Sequence, residues 1–200
     1  MNTIIQISAD FIEGNTNFID LISTIIQCFA VNEIIVPQRH HHDFPNPEIG
    51  QDSTMLLMPA WHPSKDAGVK IVTVSPENGK FNLPSIQGTY IYLDASNGKL
   101  KALLEAKSLT VKRTAAASAL ASSYLSKKNA SSMLMIGTGA LSINLIKAHT
   151  SVRPISTVYI WGRNFNKAQS ICDELQNENF SIKSIKNIET KYNDFKKNDE

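Results

Sequence analysis

One stretch limits the fold of this chain more than any other: "SMLMIGTGALSINLI", residues 132–146, in which two glycines separate two apolar segments. The first segment resembles a buried strand, and the second has helical spacing. A strand pattern, "ISTVYIWG", a helical pattern, "NKAQSICDELQNE", and a possible third strand, "FSIKSIK", follow. Because strands and helices alternate here, we predict a parallel sheet and an α/β fold.

The turn after the first strand has the pattern G-x-G-x-x-S, the dinucleotide-binding fingerprint with serine in its third small position. Its residues are Gly137, Thr138, Gly139, Ala140, Leu141 and Ser142. Gly137 permits a tight turn, Gly139 lets a pyrophosphate approach the backbone, and the helix beginning near Ala140 offers free N–H groups. A purely structural glycine turn is the alternative, but the strand before it and the helix after it favour a dinucleotide site.

The end of the second strand bears on which dinucleotide is bound. NAD sites usually carry an acidic residue there, whereas this chain has Gly162, Arg163 and Asn164. Since a carboxylate would repel a 2′-phosphate and an arginine can pair with one, the sequence favours NADP(H), with NAD(H) possible. The alternative is that Arg163 is only a solvated loop residue.

The residues before the glycine turn predict a second domain. "FIDLISTIIQCFA" (18–30) has the apolar spacing of one helix face. Residues 53–61, 67–76 and 88–106 read as strands, the last as a hairpin with a turn at Ser96-Asn97-Gly98, in which Asn-Gly is the usual turn pair. We therefore predict a helix packed on a mixed or antiparallel sheet, with domains at 1–112 and 113–200.

An alanine-rich segment, residues 108–128, predicts the helix that connects the two domains. Ser108 or Thr110 could cap its start. The small side chains along this helix suit a tight connection.

Composition excludes several classes of function. The chain has 200 residues, 42% of them hydrophobic and 19% charged, and a net charge of +2, so neither nucleic acid nor an anionic membrane is expected as a partner. No apolar run approaches the length of a membrane span, and the N-terminus lacks a basic leader. We expect a soluble, cytoplasmic protein with two free thiols, Cys28 and Cys172.

Three consecutive histidines, His40–His42, raise the question of a metal site. They lie in a turn-rich, proline-rich stretch, "PQRHHHDFPNP". Adjacent loop histidines lack the spacing of most zinc sites, and no cysteine lies nearby to complete one. We predict no metal.

Several segments together resemble the ornithine cyclodeaminase/mu-crystallin family. They are "LLMPAW", "GVKIVTVSPEN", "LPSIQGTYIYLDASNGKLKALLEAKSLTVKRTAAASALASSYL" and "IGTGALS". The segment "LTVKRTAAASALASSYL" is the most specific of them. The resemblance implies an N-terminal α+β substrate and dimerisation domain and a Rossmann-type NAD(P)-binding domain. It also implies hydride transfer at Cα of a small L-amino acid or its cyclic imine, and a homodimer.

The resemblance also implies roles for individual residues. Arg39, Lys70 and Arg113 would hold the substrate carboxylate, with Lys70 also catalytic because it can shuttle a proton at the imine stage. Ser85 and Arg113 would contact the cofactor. Ala140 and Leu141 match the pyrophosphate-binding backbone positions, although the family more often reads "GAQA" than "GALS". Each of the three cations could instead be an ordinary salt-bridge partner.

Members of the family are longer than this chain, and the expected general acid, an aspartate, belongs to their second half. The sequence is thus expected to be either a fragment of a longer enzyme or a short form. A non-catalytic NADP(H)- or small-ligand-binding dimer, or an inactive fragment, is the alternative to a ketimine reductase, amino-acid dehydrogenase or ornithine cyclodeaminase.

Overall fold

The structure is a computed structural model that describes residues 4–189 and 192. Contacts between Cα atoms divide the chain into two compact units. The first consists of residues 1–16 and 26–110, and the second of residues 17–25 and 111–200. The predicted α/β class, with one mixed and one parallel sheet, is confirmed.

The first unit contains a six-stranded mixed sheet. Its strands are β1 (Ile5–Ile7), β2 (His40–Phe44), β3 (Ser53–His62), β4 (Asp66–Val74), β5 (Ile86–Asp94) and β6 (Leu100–Glu105). They lie in the order β1-β6-β5-β4-β3-β2, with β1 parallel to β6 and every other pair antiparallel. Helix α1 (Ala9–Asn15) and a 3-10 helix (Pro76–Phe81) belong to the same unit.

Two details of this sheet correct the sequence interpretation. The histidine tract lies in β2 rather than in a loop, and His40, His41 and His42 pair with Leu57, Leu56 and Met55. The β5–β6 hairpin is longer than a two-residue Asn-Gly turn. Only its glycine, Gly98, has a positive φ, and the Gly98 N–H donates to the Asp94 carbonyl oxygen at 2.9 Å.

The second unit contains a parallel three-stranded sheet. Its elements are β7 (Ser132–Ile136), α4 (Ser142–Val152), β8 (Thr157–Trp161), α5 (Phe165–Glu174) and β9 (Ser181–Ser184). The strand order β7-β8-β9 is that of the first half of a doubly wound nucleotide-binding fold. Its core is apolar and almost fully buried, and includes Ile146, Val158, Ile160 and Leu175.

Two further helices, α2 (Phe18–Ala30) and α3 (Ala106–Leu125), were predicted close to their observed bounds. The first part of α2 does not pack on the sheet as predicted. Phe18 and Ile22 are instead buried against Ala115 and Ala119 of α3. Alanine leaves room for close helix contact, and burying each large side chain stabilises the packing by about 1.5–3 kcal/mol.

Helix α3 begins earlier than the sequence suggested, and Glu105 rather than Ser108 or Thr110 precedes its first turn. The Glu105 carboxylate accepts from the N–H groups of Lys107 and Ser108 at 2.8 and 2.7 Å. Burial raises the pKa of Glu105, but the hydrogen bonds from Ser108 and Lys107, together with the charge of Lys107, outweigh burial and hold the pKa below its ordinary value.

One arginine binds the other end of α3. The Arg153 guanidinium donates to the carbonyl oxygens of Ser122, Ser123 and Ser126 at 3.0, 2.7 and 3.1 Å, and to Ser126 Oγ at 2.9 Å. These carbonyls lie in and directly after the last turn of α3, where helix acceptors are commonly left without a donor; here the Ser122 carbonyl oxygen also accepts from the Ser126 N–H at 2.9 Å. Arg153 therefore fastens the end of α3 to the end of α4.

Candidate functional site

The turn after β7 is held by backbone contacts that depend on glycine. Gly137 has a φ of +122°, a conformation that residues with a side chain rarely adopt. The Gly137 N–H donates to the Trp161 carbonyl oxygen at 2.7 Å, which joins the end of β7 to the end of β8. The first glycine of the motif thus makes the turn that the fingerprint requires.

The backbone after this glycine offers free donors. Within the described residues, no hydrogen bond uses the N–H groups of residues 138–141. Leu141 stands at the N-cap of α4 and provides no side-chain cap. A Cβ built on Gly139 would meet nothing within 4 Å. Free amides at the positive end of a helix, beside open space, fit a pyrophosphate.

Ser142 supports the turn from inside. Its side chain is 2% exposed, and its hydroxyl donates to the Gly137 carbonyl oxygen at 3.1 Å. The Ser142 N–H donates to the Gly139 carbonyl oxygen at 3.0 Å. The third small residue of the motif is therefore engaged within the turn, where a large side chain would not fit.

Gly162 and Thr138 are in close contact. A Cβ on Gly162 would lie 2.6 Å from Thr138 Cγ2 and 3.0 Å from Thr138 Oγ1. The chain after β8 can approach the glycine turn only because residue 162 lacks a side chain. This contact explains a glycine at a position where NAD-binding proteins often carry an acidic residue.

Arg163 and Asn164 directly follow Gly162 in the chain, and their surroundings differ. Asn164 is the N-cap of α5, and its Oδ1 accepts from the Lys167 N–H at 3.3 Å. Arg163 is exposed and forms no ion pair with any described residue. The structure thus gives Asn164 a capping role and leaves the Arg163 guanidinium available to a ligand.

In the first unit, Lys70 lies in the middle of a row of paired residues. It pairs with Met58 of β3 on one side and with Tyr90 of β5 on the other. Directly paired residues of antiparallel strands share a sheet face. Arg39 precedes β2, and the pairing shifts by one residue before that strand, because Ile35 rather than Val36 pairs with Trp61. The β2–β3 register therefore does not assign Arg39 to a face of the sheet.

Two neighbours define the surroundings of Lys70. Its Nζ donates to Thr110 Oγ1 at 3.5 Å, so the first turns of α3 lie over this part of the sheet. Tyr90 is half-buried and leans over Gly68, where a Cβ would come within van der Waals overlap of the phenol oxygen. Burial, and to a smaller extent the charge of Asp66, raises the pKa of Tyr90.

The remaining predicted residues are exposed. Ser85 follows the 3-10 helix, and its hydroxyl donates to the Pro76 carbonyl oxygen at 3.5 Å. Arg113 lies on α3 and belongs to the second unit. The structure thus brings Lys70, Tyr90 and Thr110 together within the first unit, and residues 137–142 and 162–164 together within the second.

Sequence reasoning missed the neighbours of Lys70, namely Met58, Tyr90 and Thr110. Strand alternation could have placed Tyr90 and Lys70 on opposing strands, but it could not give the register between them. Thr110 was read as a cap, although it lies one turn inside α3. Within the described residues, no group of three metal-binding side chains and no helix able to cross a membrane is found.

Comparisons with known proteins agree with these observations. The sequence model of the ornithine cyclodeaminase/mu-crystallin family matches residues 6–195. An uncharacterised protein of Schizosaccharomyces pombe is 42% identical over 189 residues, covering 92% of this chain and 57% of that protein. The Delta(1)-pyrroline-2-carboxylate reductase of Colwellia psychrerythraea is 36% identical over 166 residues, covering 82% of this chain and 52% of that enzyme.

A solved structure shows the same architecture. The Thermococcus litoralis Delta(1)-pyrroline-2-carboxylate reductase, in complex with NADH and L-proline, superimposes with a TM-score of 0.80 at 25% identity. The match covers 92% of this chain and 58% of that one. The chain thus spans little more than half the length of the relatives it matches. With a family match over nearly all of its residues, it belongs to the ornithine cyclodeaminase/mu-crystallin family.

Proposed function

We propose that this chain is part of an NADP(H)-dependent reductase that converts a small cyclic imino acid, such as Δ1-pyrroline-2-carboxylate, to the corresponding amino acid. The observation that carries the proposal is the bend after β7, where the amides of residues 138–141 are free beside open space at Gly139. The substrate class is that of the reductases from Colwellia psychrerythraea and Thermococcus litoralis.

The substrate carboxylate binds to cations on the sheet face of the first unit. Arg39 supplies a planar guanidinium that can make two parallel hydrogen bonds to a carboxylate, and Lys70 supplies a point charge. Lys70 is only partly buried and sits beside Met58 and Tyr90, so a bound carboxylate would be partly shielded from water. Arg113 completes the set from α3 and also contacts the cofactor.

The cofactor would be held by the residues that form the second unit's turn. Residues 138–141 bind its pyrophosphate through their amides, Gly162 and Asn164 line the adenosine end, and Arg163 pairs with the 2′-phosphate. Ser85 contacts the nicotinamide end. NADP(H) is preferred over NAD(H), because no acidic residue lies between Trp161 and Ala168 to repel the extra phosphate.

The reaction needs a hydride, a proton and a fixed geometry. When bound, the reduced nicotinamide supplies the hydride that turns the imine carbon into the Cα of the product. Lys70 holds the carboxylate and delivers the proton to the imine nitrogen, returning to the ammonium form by exchange with solvent. Fixing both reactants in one orientation provides much of the acceleration.

Purified protein mixed with NADPH and Δ1-pyrroline-2-carboxylate tests this proposal. We expect loss of absorbance at the nicotinamide band, a slower loss with NADH, and proline as the product. Lys70→Ala should reduce turnover at least about a hundredfold, as expected for a residue that transfers a proton in the reaction, with NADPH affinity unchanged. Lys99→Ala, an exposed lysine at the β5–β6 hairpin, is the matched control and should retain full activity.

Other results of these assays would indicate a different function within the family. Proline and ammonia formed from ornithine with NAD would identify a cyclodeaminase, hence a lyase. Tight NADPH binding without either reaction would identify the non-catalytic binding protein. Full turnover by Lys70→Ala would remove that lysine from the mechanism.

We further propose that the chain forms a homodimer through the first unit's sheet. The face of the sheet opposite to Lys70 carries many apolar side chains that are only partly buried: Met55, Leu57, Pro59, Val69, Ile71, Ile91, Leu93 and Leu103. A partly exposed apolar face of this extent marks an interaction surface. Sedimentation equilibrium should give twice the chain mass. A cytoplasmic location stays a prediction from the sequence.

A further inference from the structure

The loop after β9 places a lysine beside the residue that we propose for the cofactor's 2′-phosphate. Strand β9 runs parallel to β8, with Ile160 paired to Ser184, and the Ile185 N–H donates to the Ile160 carbonyl oxygen at 2.9 Å. The chain therefore stays beside β8 to its end. Lys186 follows at the level where β8 gives way to the Gly162–Arg163 turn.

Two contacts fix the position of Lys186. Its backbone carbonyl oxygen accepts from the Trp161 indole N–H at 3.3 Å. Its Nζ lies 5.1 Å from the ring centroid of Phe165, the first residue of α5. The backbone is thus held against the last residue of β8, and the ammonium group is held at the first turn of the helix that Arg163 precedes.

The positive charge at this position comes from two side chains. Lys186 and Arg163 are both exposed, and neither forms an ion pair within the part of the chain that the structure describes. No acidic residue occurs between Trp161 and Asp173. Both side chains follow the ends of neighbouring strands, so a dianion bound between them would gain two charge-assisted contacts.

From this geometry we propose that Lys186 is a further cofactor-specificity residue, which binds the 2′-phosphate monoester of NADP(H) together with Arg163. The inference rests on the proposed cofactor site and deepens it. The proposed role of Lys186 differs from a general attraction for anions. Both dinucleotides carry the pyrophosphate that would bind at residues 138–141, whereas only NADP(H) carries the additional phosphate. Lys186 should therefore affect NADPH and leave NADH almost unaffected.

The test compares binding of the two dinucleotides, measured by calorimetry and by nicotinamide fluorescence without substrate. Lys186→Gln should raise the Kd for NADPH about tenfold, as expected for loss of one charge-assisted contact, and the Kd for NADH less than about twofold. Lys186→Arg should restore most of the NADPH affinity. Lys183→Gln is the control, because it removes an equal charge from an exposed position on β9.

A second ligand tests binding of the 2′-phosphate without the nicotinamide half of the cofactor. Adenosine 2′-monophosphate should compete with NADPH, and this competition should weaken in Lys186→Gln. Unchanged NADPH affinity in Lys186→Gln, with a loss in Arg163→Gln, would overturn the role of Lys186 and leave the proposed function intact. Equal losses in Lys186→Gln and Lys183→Gln would show only a general charge effect and also overturn it. Wild-type protein that binds neither dinucleotide would overturn both proposals.

Discussion

The contact between Gly162 and Thr138 makes a quantitative prediction about the nucleotide-binding unit. In Gly162→Ala, the new methyl carbon would lie 2.6 Å from Thr138 Cγ2. Carbon atoms in favourable contact are about 3.5–4.0 Å apart, so roughly 1 Å of movement is needed. Overpacking of this kind destabilises by about 1–3 kcal/mol, and we expect about 2 kcal/mol here.

A second substitution should relieve the overlap. Thr138→Ala removes both atoms that lie within 3.0 Å and leaves Thr138 Cβ, at 3.4 Å, as the closest atom. Alone, Thr138→Ala should destabilise by about 1 kcal/mol through lost packing. The double variant should be destabilised by about 1 kcal/mol rather than 3, which gives a coupling free energy of about 2 kcal/mol between the two positions.

The assay is urea denaturation followed by tryptophan fluorescence. The protein has two tryptophans, Trp61 and Trp161, so a Trp61→Phe background leaves one reporter, at the end of β8 in the unit under study. Gly139→Ala is the matched control. Its added Cβ meets nothing within 4 Å, so stability should not fall, whereas NADPH affinity should fall because the methyl group occupies the open space. Additive effects of Gly162→Ala and Thr138→Ala would refute the reasoning.

Two further predictions concern the stability of the second unit. Arg153→Met should lower the free energy of unfolding by about 2 kcal/mol, because three helix-terminal carbonyl oxygens lose a charged donor; a urea midpoint equal to that of wild type would contradict this. His149, whose Nε2 lies 3.1 Å from Ser118 Oγ, has its pKa lowered by burial from the ordinary value of 6.5. Between these two pKa values the unfolded chain binds more protons than the folded chain, so the free energy of unfolding should fall as the pH drops through about 6.5 toward the folded-state pKa. Denaturation midpoints measured from about pH 8 to pH 5 should depend less on pH in His149→Gln than in wild type.

The second unit could be predicted from the sequence more fully than the first, for a physical reason. Its strands and helices alternate in the order in which they pack, and Gly137 needs a conformation that only glycine adopts readily. Local sequence patterns were therefore enough to predict the order of strands and helices in this unit. The contact between Thr138 and Gly162 joins residues far apart in sequence, and no periodicity reveals it.

The first unit shows what local patterns do not reveal. The proline-rich stretch around His41 was read as a loop because proline and polar residues are typical of turns. It forms an edge strand, since pairing with β3 compensates for weak strand propensity. The packing of Phe18 and Ile22 on α3 was missed for a related reason, because the apolar face of a helix predicts burial and not the partner.

The bend after β7 depends on a main-chain bond from Gly137 to Trp161 and on the buried hydroxyl of Ser142, neither of which involves the exposed side chains after β8. In the proposed cofactor site, binding of the part that both dinucleotides share is thereby separated from the choice between NADP(H) and NAD(H). We therefore expect substitutions at Arg163 and Lys186 to change the preference between the two dinucleotides while the bend keeps its structure.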